Sequence, residues 1–517
     1  MFYLNYQKAV SDIKSRIGRL VSVSKPQTDF LYANITDFRN SDERLIMLKA
    51  QEYYRNKNDV LERKRYYIDR HGNQQEAKNL SNSKLAHPSL RKLVRQKVNY
   101  LLSKEFSIQT ENEAFSKALS EYTDKQFYRM IQGLSTYAIV NGVEWAQAYY
   151  NQDGDLKFKR IPAEEIVPFW RDSEHTILDA ILRFYSVVKY LPDGSKKQVN
   201  KVEYHTVQGV WYFIEDAKGL KPDPEKGDGL QGHFVIRKPL VNENGEEMMD
   251  DQGTAMMSDE PVAWDRIPFI PFKYNADELS LLELVKPLID DYDVNTSDLS
   301  NILQDIPNSI KVVRNYDGTD KGEFVQNLAL YRTAFVSGDG DLHAVDTKLD
   351  VAAIDSHLNR LRKDIYEAGS GVDTQETDLG NASGVALKFR FADLDNDTDE
   401  LAMELSFSIE QMLWFIQVDM FNKGLGEFFE EEFDIIFNTD GIINESEIIL
   451  DAKNSVGIIS EETIMANHPW VTDVAVEKEK LTKERDEAMV KAQEMMQQDE
   501  NFGSNEPSGA GNDEGAE

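Results

Sequence analysis

Acidic residues near the middle of the chain recur at a spacing that could bind a cation. Asp393, Asp395, Asp397, Asp399 and Glu404 stand at relative positions 1, 3, 5, 7 and 12. Carboxylates with this spacing supply oxygen ligands to calcium in EF-hand loops. The pattern therefore raises the hypothesis of a divalent-metal site formed by Asp393, Asp395, Asp397 and Glu404.

Two details of the same segment favour a structural interpretation. Position 6, which is glycine in a calcium loop, is Thr398 here, and position 8, usually apolar, is Glu400. The flanking sequence has the periodicity of a helix throughout. We therefore favour an acidic bend in a long helix and keep the metal site as an alternative.

The elements that must position these acids are a helix, a loop and a second helix over residues 351–424. The first helix, 351–368, carries apolar residues at intervals of four, three and four. The loop, 369–384, contains four glycines and few apolar residues. Because such a loop cannot bury itself, we expect it to be exposed and mobile.

Basic side chains flank this loop and form a second group nearer the N-terminus. Those beside the loop are expected to pair with local acids, except for one or two that could meet phosphate groups. The second group is expected to be solvated or to contact another subunit rather than DNA. The flanking residues are Arg360, Arg362, Lys363, Lys388 and Arg390, and the second group is Arg91, Lys92, Arg95 and Lys97.

Composition excludes several classes of protein. The chain has 517 residues, no cysteine and a formal net charge of −33. The missing cysteines exclude disulfides and cysteine-ligated zinc, and the negative charge opposes avid nonspecific binding to nucleic acid. No run approaches the roughly 18 apolar residues of a membrane helix, so no membrane contact is expected. Residues 1–20 are interpreted as an amphipathic helix rather than a signal peptide.

Sequence motifs for common catalytic chemistry are also missing. The chain contains no Gly-Lys dipeptide of a P-loop, no HExxH zinc motif and no GxSxG nucleophile elbow. This absence weighs against a hydrolase or a nucleotide-driven motor. No cofactor is implied.

The order of predicted elements indicates an α+β protein. Residues 1–140 are mainly helical, 143–275 alternate with the period of antiparallel strands, and 279–306 form one long helix. A small α/β piece follows at 307–350. The helices predicted in the first part span 43–64, 87–105 and 116–142, the hairpin turns are Asp153-Gly154 and Pro192-Asp193-Gly194, and 217–232 is a loop.

Beyond Gly424 the sequence predicts a strand, two short helices and a charged helix. In the charged helix Val474, Leu481, Ala488 and Met495 are seven residues apart. The last segment, 498–517, has no Lys or Arg and should be disordered.

Four segments resemble one known family. They are 87–108, 161–172, 267–308 and 377–395, of which the last two are the most specific. In these segments the chain is similar to the portal proteins of long-tailed, double-stranded DNA phages, in the branch typical of phages of Gram-positive bacteria. The resemblance reaches from the first hundred residues to about residue 440, and the C-terminal eighty residues match only in character.

The resemblance implies the phage portal fold and a division of the chain into parts. The implied parts are a wing at 1–278 and 384–440, stem helices at 279–306 and 351–371, a clip at 307–350, a tunnel loop at 372–383, a helical crown at 441–497 and an acidic tail at 498–517. The implied assembly is a ring of about twelve subunits with DNA passing through its centre.

Site residues follow from the same resemblance. The tunnel loop would present Asp373, Thr374, Gln375, Glu376, Thr377, Asp378 and Asn381 to DNA. Lys388 and Arg390 would lie near the channel. The clip would dock its partners through Lys311, Arg314, Tyr316 and Lys321, since exposed basic and aromatic groups suit an interface.

The implied function is a conduit for packaging and ejecting the genome at one capsid vertex of the virion, after assembly in the host cytoplasm. The implied partners are the terminase large subunit, the head-tail adaptor, and the major capsid and scaffolding proteins. The runner-up is an acidic metal-dependent enzyme acting on nucleic acid through Asp393–Glu404 or the Asp290–Asp293 cluster. A third possibility is a generic scaffold without a central channel.

Overall fold

The computed structural model covers the chain from residue 27 to residue 502 with interruptions. It describes residues 27–68, 71–77, 81–240, 248–249, 256–305, 310–314, 341–345, 350–375, 384–438, 445–471 and 474–502. The expected N-terminal helix, 1–20, lies outside the described residues. Of the tail predicted to be disordered, 498–517, residues 498–502 are helical and the rest lies outside the described residues. None of the helices in the described part is both long enough and apolar enough to cross a bilayer.

Helices and strands occupy largely separate stretches of the chain. This α+β arrangement confirms the predicted class. The helices are α1 Thr28–Arg39, α2 Asp42–Tyr54, α3 Ser89–Leu102, α4 Glu113–Leu119, α5 Lys125–Asn141, α6 Leu281–Asp305, α7 Val351–Ala368, α8 Gly384–Asn422, α9 Glu445–Asn454, α10 Glu461–Ala466 and α11 Val474–Phe502.

The strands pair antiparallel throughout the described residues. They are β1 Tyr66–Ile68, β2 Gln74–Glu76, β3 Ser107–Gln109, β4 Val143–Tyr150, β5 Leu156–Ile161, β6 Ile166–Trp170, β7 Leu178–Tyr190, β8 Lys196–Thr206, β9 Gly209–Asp216, β10 Gly219–Pro222, β11 Phe234–Pro239, β12 Met257–Val262, β13 Phe269–Lys273, β14 Ile310–Arg314, β15 Asp341–Val345 and β16 Asp434–Ile436.

The larger sheets account for the predicted β region. One has the order β10-β9-β8-β7-β6 and the other β13-β4-β5. The hairpin turns fall where they were predicted, with Gly154 and Gly194 at positive φ. The remaining pairs in the described chain are β1-β2, β11-β12, β14-β15 and β16-β3.

The three-stranded sheet separates two cores because successive side chains along a strand point to opposite faces. Ala146 and Phe272 face the main core, which α3, α5, α6 and α8 share. Trp145 and Phe269 face a second core on the other side of the sheet. This sheet therefore fixes α8, and with it the end of the loop that precedes α8, relative to the rest of the chain.

Several predicted boundaries were wrong for identifiable reasons. The helix predicted over 43–64 ends at Tyr54, because Asn56 takes a positive φ and only a single 3-10 turn follows. The helix predicted over 116–142 is two helices, since Asp124 accepts a hydrogen bond from Phe127 N and starts α5. The predicted loop 217–232 contains strand β10.

Other predictions were confirmed. Helix α3 lies within the predicted 87–105, α6 within 279–306 and α7 within 351–371. Strand β16, helices α9 and α10, and the charged helix α11 occur in the predicted order. Strand β15 was not predicted. The sequence of 321–347 predicts a short helix, a strand and a Gly-Asp turn, and only 341–345 of this span are described.

Buried polar contacts attach α6 to the N-terminal helices. Asp293 is fully buried and accepts hydrogen bonds from Asn58 Nδ2 at 2.6 Å and from His87 N at 3.0 Å. His87 Nδ1 lies 2.7 Å from the same carboxylate. By contrast, Asp291, two residues earlier and on the other side of α6, is exposed.

We predict that Asp293→Ala lowers the free energy of unfolding by about 2–4 kcal/mol, because buried donors on Asn58 and His87 would lose their acceptor. The matched control Asp291→Ala should change it by less than about 0.5 kcal/mol. Urea unfolding followed by tryptophan fluorescence measures both. Equal effects of the two substitutions would contradict this account.

Candidate functional site

The loop between α7 and α8 begins as a packed segment. Residues 369–373, here called the loop base, lie against α3, and Val372 is 6% exposed. Val372 packs with Phe391 and Leu394 of α8 and with Tyr100 of α3. The expectation of an exposed loop was therefore wrong for its first five residues, although Thr374 and Gln375 are exposed.

Hydrogen bonds hold the loop base to one face of α3. The Gln96 side chain donates to Val372 O at 3.1 Å and accepts from Val372 N at 3.0 Å. Lys97 Nζ donates to Ser370 O at 3.2 Å. Because both backbone groups of Val372 are satisfied by one amide, the loop base is bound much as a strand is bound by its neighbour.

Glycine is required in the loop base for close packing. A Cβ atom at Gly369 would lie 2.6 Å from Leu93 Cδ1, and one at Gly371 would lie closer still to Leu93 Cδ2. Both positions lack the positive φ that favours glycine for conformational reasons. These two glycines therefore let the chain approach α3, a role distinct from the flexibility that their number suggested.

The basic residues before the loop pair with local acids, as expected. Arg362 Nη2 donates to Asp373 Oδ1 at 2.6 Å, and its other terminal nitrogen donates to the Gln375 side chain. Arg360 Nε donates to Asp364 Oδ1 at 3.1 Å. The Arg360 pair lies within α7, whereas the Arg362 contacts hold the first residues of the predicted tunnel loop close to α7.

Lys97 departs from the prediction of a solvated basic face. It is fully buried, and its Nζ donates to Asp397 Oδ2 of α8 at 2.7 Å. Tyr274 OH donates to the other oxygen of the same carboxylate at 2.7 Å. Burial lowers the pKa of Lys97, opposed by the attraction of Asp397, and burial raises the pKa of Tyr274 well above its usual value.

The calcium-like spacing lies within one continuous helix. Residues 393–404 belong to α8, which has 39 residues. In a straight helix Asp395 and Asp399 project to the side opposite Asp393, Asp397 and Glu404, so the five carboxylates cannot converge on one ion. Two of them already have partners. Asp395 accepts from Tyr100 OH, and Asp397 accepts from Lys97 and Tyr274. The predicted long helix is confirmed.

Metal chemistry has no other support in the described residues. Within them, no group of three or more His, Asp or Glu side chains is arranged to hold a metal ion. In the Asp290–Asp293 cluster, Asp290 accepts from Lys286 Nζ at 2.6 Å and from Tyr53 OH, while Asp293 is bound as described above. Burial raises the pKa of Glu404, partly offset by Lys273.

The remaining predicted residues are placed only in part. Arg390 is exposed in the second turn of α8, and Lys388 belongs to the same helix. Lys311 and Arg314 lie on β14, which pairs with β15. Of the predicted residues, Glu376, Thr377, Asp378, Asn381, Tyr316 and Lys321 lie outside the described residues.

Together, the fold and this site define an α+β protein in which a loop between long helices is clamped at its base. Comparison with known proteins gives the family. The family model described as "Phage portal protein, SPP1 Gp6-like" matches residues 39–491. The chain belongs to this family of phage portal proteins.

Two curated relatives span nearly the whole chain. The portal protein of Bacillus phage SPP1 is 27% identical over 466 residues, which cover 89% of this chain and 87% of the relative. The portal protein of Clostridium phage phiCD119 is 26% identical over 449 residues, covering 84% of this chain and 91% of the relative. The resemblance inferred from sequence segments is confirmed.

We predict that Gly371→Ala lowers the free energy of unfolding by about 1–3 kcal/mol, because the added methyl group overpacks Leu93. Hydrogen exchange at the Val372 amide should become faster, since its bond to Gln96 is disturbed. Mass spectrometry of exchanged peptides measures this change.

The matched control is Gly133→Ala in α5, where an added Cβ meets no atom within 4 Å. This control should leave Val372 exchange unchanged and stabilise the chain by up to about 1 kcal/mol. Unaltered exchange in Gly371→Ala would show that the loop base is not held by this packing.

Proposed function

We propose that the chain is the subunit of a ring of about twelve copies, at one vertex of the capsid, through which double-stranded DNA is packaged and ejected. The single observation that carries the proposal is the family match over residues 39–491. The loop clamped between α7 and α8 adds support, since a constriction needs a rigid base.

In this proposal the parts of the chain have separate tasks. Helices α6 and α7 pack against each other and form the stem, and the insertion between them, 307–350, is the clip. At about 1.5 Å per residue, the 25 residues of α6 extend about 37 Å. Residues 1–278 and 384–440 form the wing, and 441–497 form the crown.

Residues 372–383 form the tunnel loop that faces DNA. The loop base fixes where this segment begins, because Val372 is bound to α3 and Asp373 to Arg362. The net charge of −33 per chain then opposes tight contact with phosphate, which would add affinity and drag. Duplex DNA therefore slides through a hole with few gripping contacts.

In this proposal another protein moves the DNA. The chain lacks a P-loop and acts as a conduit with no catalysis of its own. The clip docks the terminase large subunit during packaging and then the head-tail adaptor, with Lys311, Arg314, Tyr316 and Lys321 as contact residues. Major capsid and scaffolding proteins surround the ring, which assembles in the host cytoplasm and remains in the virion.

We predict that the purified chain forms closed rings of about twelve copies, because each subunit of a cyclic assembly offers two different surfaces to its neighbours. Native mass spectrometry gives the copy number, and negative-stain images show the hole. A stable monomer at micromolar concentration would contradict the proposal.

We also predict that Thr374→Trp combined with Gln375→Trp abolishes DNA packaging while rings form normally. Both side chains are exposed at the start of the tunnel loop, so bulky rings there would narrow the passage. The control Asp153→Trp alters the exposed turn between β4 and β5 and should package DNA normally. Nuclease-protected DNA per particle is the measurement, and normal packaging by the loop variant would exclude the loop from the mechanism.

A further inference from the structure

The outward face of α3 carries cations that no carboxylate of the described chain neutralises. Arg91, Lys92 and Arg95 are exposed, and their contacts in the described residues are with aromatic rings or absent. Arg91 lies 5.8 Å from the Tyr54 ring centroid and Lys92 lies 5.0 Å from that of Tyr366. In a chain with 91 acidic and 58 basic residues, three cations on one helix face thus have no acidic partner among the described residues.

Several other surface cations of the described chain pair with acids. Examples are Arg39–Glu215, Arg63–Asp298, Lys286–Asp290, Arg360–Asp364 and Arg362–Asp373. The cations of α3 are therefore available to pair with acidic groups of another molecule.

The outward face of α8 has the complementary character. Asp393 and Glu400 are exposed, and no Lys or Arg of the described chain lies within ion-pair distance of them. Apolar side chains share this face: Phe389 is 79% exposed, Met403 63% and Phe407 56%. Aromatic and methionine side chains beside charged groups are typical of protein interfaces and do not suit contact with phosphate.

The two faces point in opposite directions. Helices α3 and α8 touch through Lys97–Asp397 and Tyr100–Asp395. At about 100° per residue, Arg91 and Arg95 lie on the side of α3 away from these contacts. By the same count, Glu400 lies with Phe389, Met403 and Phe407 on the side of α8 away from its buried stripe. Asp393 lies at the edge of that side, one turn before Asp397. One subunit therefore shows a basic face on one side and an acidic, partly apolar face on the other.

We propose that the α3 face of one copy, Arg91 and Arg95, docks on the α8 face of the next copy, Asp393 and Glu400. The inference rests on the proposed ring. Opposite faces on opposite sides produce a head-to-tail contact, which closes into a ring when the rotation allows it. A second copy satisfies both faces at once, whereas DNA would leave the acidic and apolar face of α8 uncovered.

The proposed contact also explains how copies that carry a large negative charge can associate. Copies with a charge of −33 repel each other at long range, so association requires that local opposite charges meet or that apolar surface is buried. The proposed contact does both, through the arginines of one copy and through the acids with Phe389, Met403 and Phe407 of the other.

Charge reversal tests the contact. The variant Arg91→Glu with Arg95→Glu and the variant Asp393→Lys with Glu400→Lys should each weaken association of neighbouring copies at least about tenfold, because like charges then face each other. Mixing the two variants should restore rings with alternating subunits in a one-to-one ratio. Native mass spectrometry resolves the two masses, and circular dichroism checks folding of each variant.

The control is Lys197→Glu with Lys218→Glu, which makes the same change of charge as the arginine variant. Lys197 is an exposed residue of β8, and Lys218 is exposed in the turn between β9 and β10. It should form rings as the unaltered chain does. Rings from either reversed variant alone would overturn the proposed contact, and so would failure of the folded variants to assemble when mixed. Intact rings with altered DNA packaging would assign the α3 face to DNA instead. If the unaltered chain stays monomeric, the proposed ring is wrong. This result differs from those above, which test only the contact between α3 and α8.

Discussion

The binding of the loop base to α3 is the constraint on which the site depends. Gln96 satisfies both backbone groups of Val372, and Lys97 connects Ser370 to Asp397 of α8. Because Lys97 is fully buried, its charge is tolerated only with these partners in place. One turn of α3 thereby fixes three segments relative to one another: the end of α7, the start of the loop and the part of α8 around Asp397.

The proposed role as a DNA conduit requires two properties in different places, and this arrangement combines them. The elements around the loop must be stiff, and they are, because α8 packs across the three-stranded sheet into the main core. The surface proposed to meet DNA must bind weakly, and a strongly acidic chain meets that condition. Some of its cations are used within the fold, as Arg362 is with Asp373, and others stand on the outward face of α3.

The fold was predictable wherever its signal is local. The periodicity of residues 279–306 and the turn residues at Asp153-Gly154 identify α6 and the β4-β5 hairpin, because a helix and a tight turn depend on neighbours in sequence. The resemblance segments then identified the family. The break before α5 also had a local signal, since Asp124 is a typical N-cap residue.

The site was less predictable because its contacts are distant in sequence. The glycines of the loop base fit against Leu93, nearly 280 residues earlier, and composition cannot separate close packing from flexibility. Lys97 could have been found, since it lies between the buried positions Val94 and Leu101 of α3. The pairing of Asp397 with Lys97 needed the tertiary structure.

An electron cryomicroscopy map of the assembled particle tests the central claim most directly. The account predicts a ring pierced by a hole wide enough for duplex DNA, with α3 holding the loop base and residues 374–383 directed to the axis. A solid particle, or a ring in which this loop faces away from the hole, would contradict it.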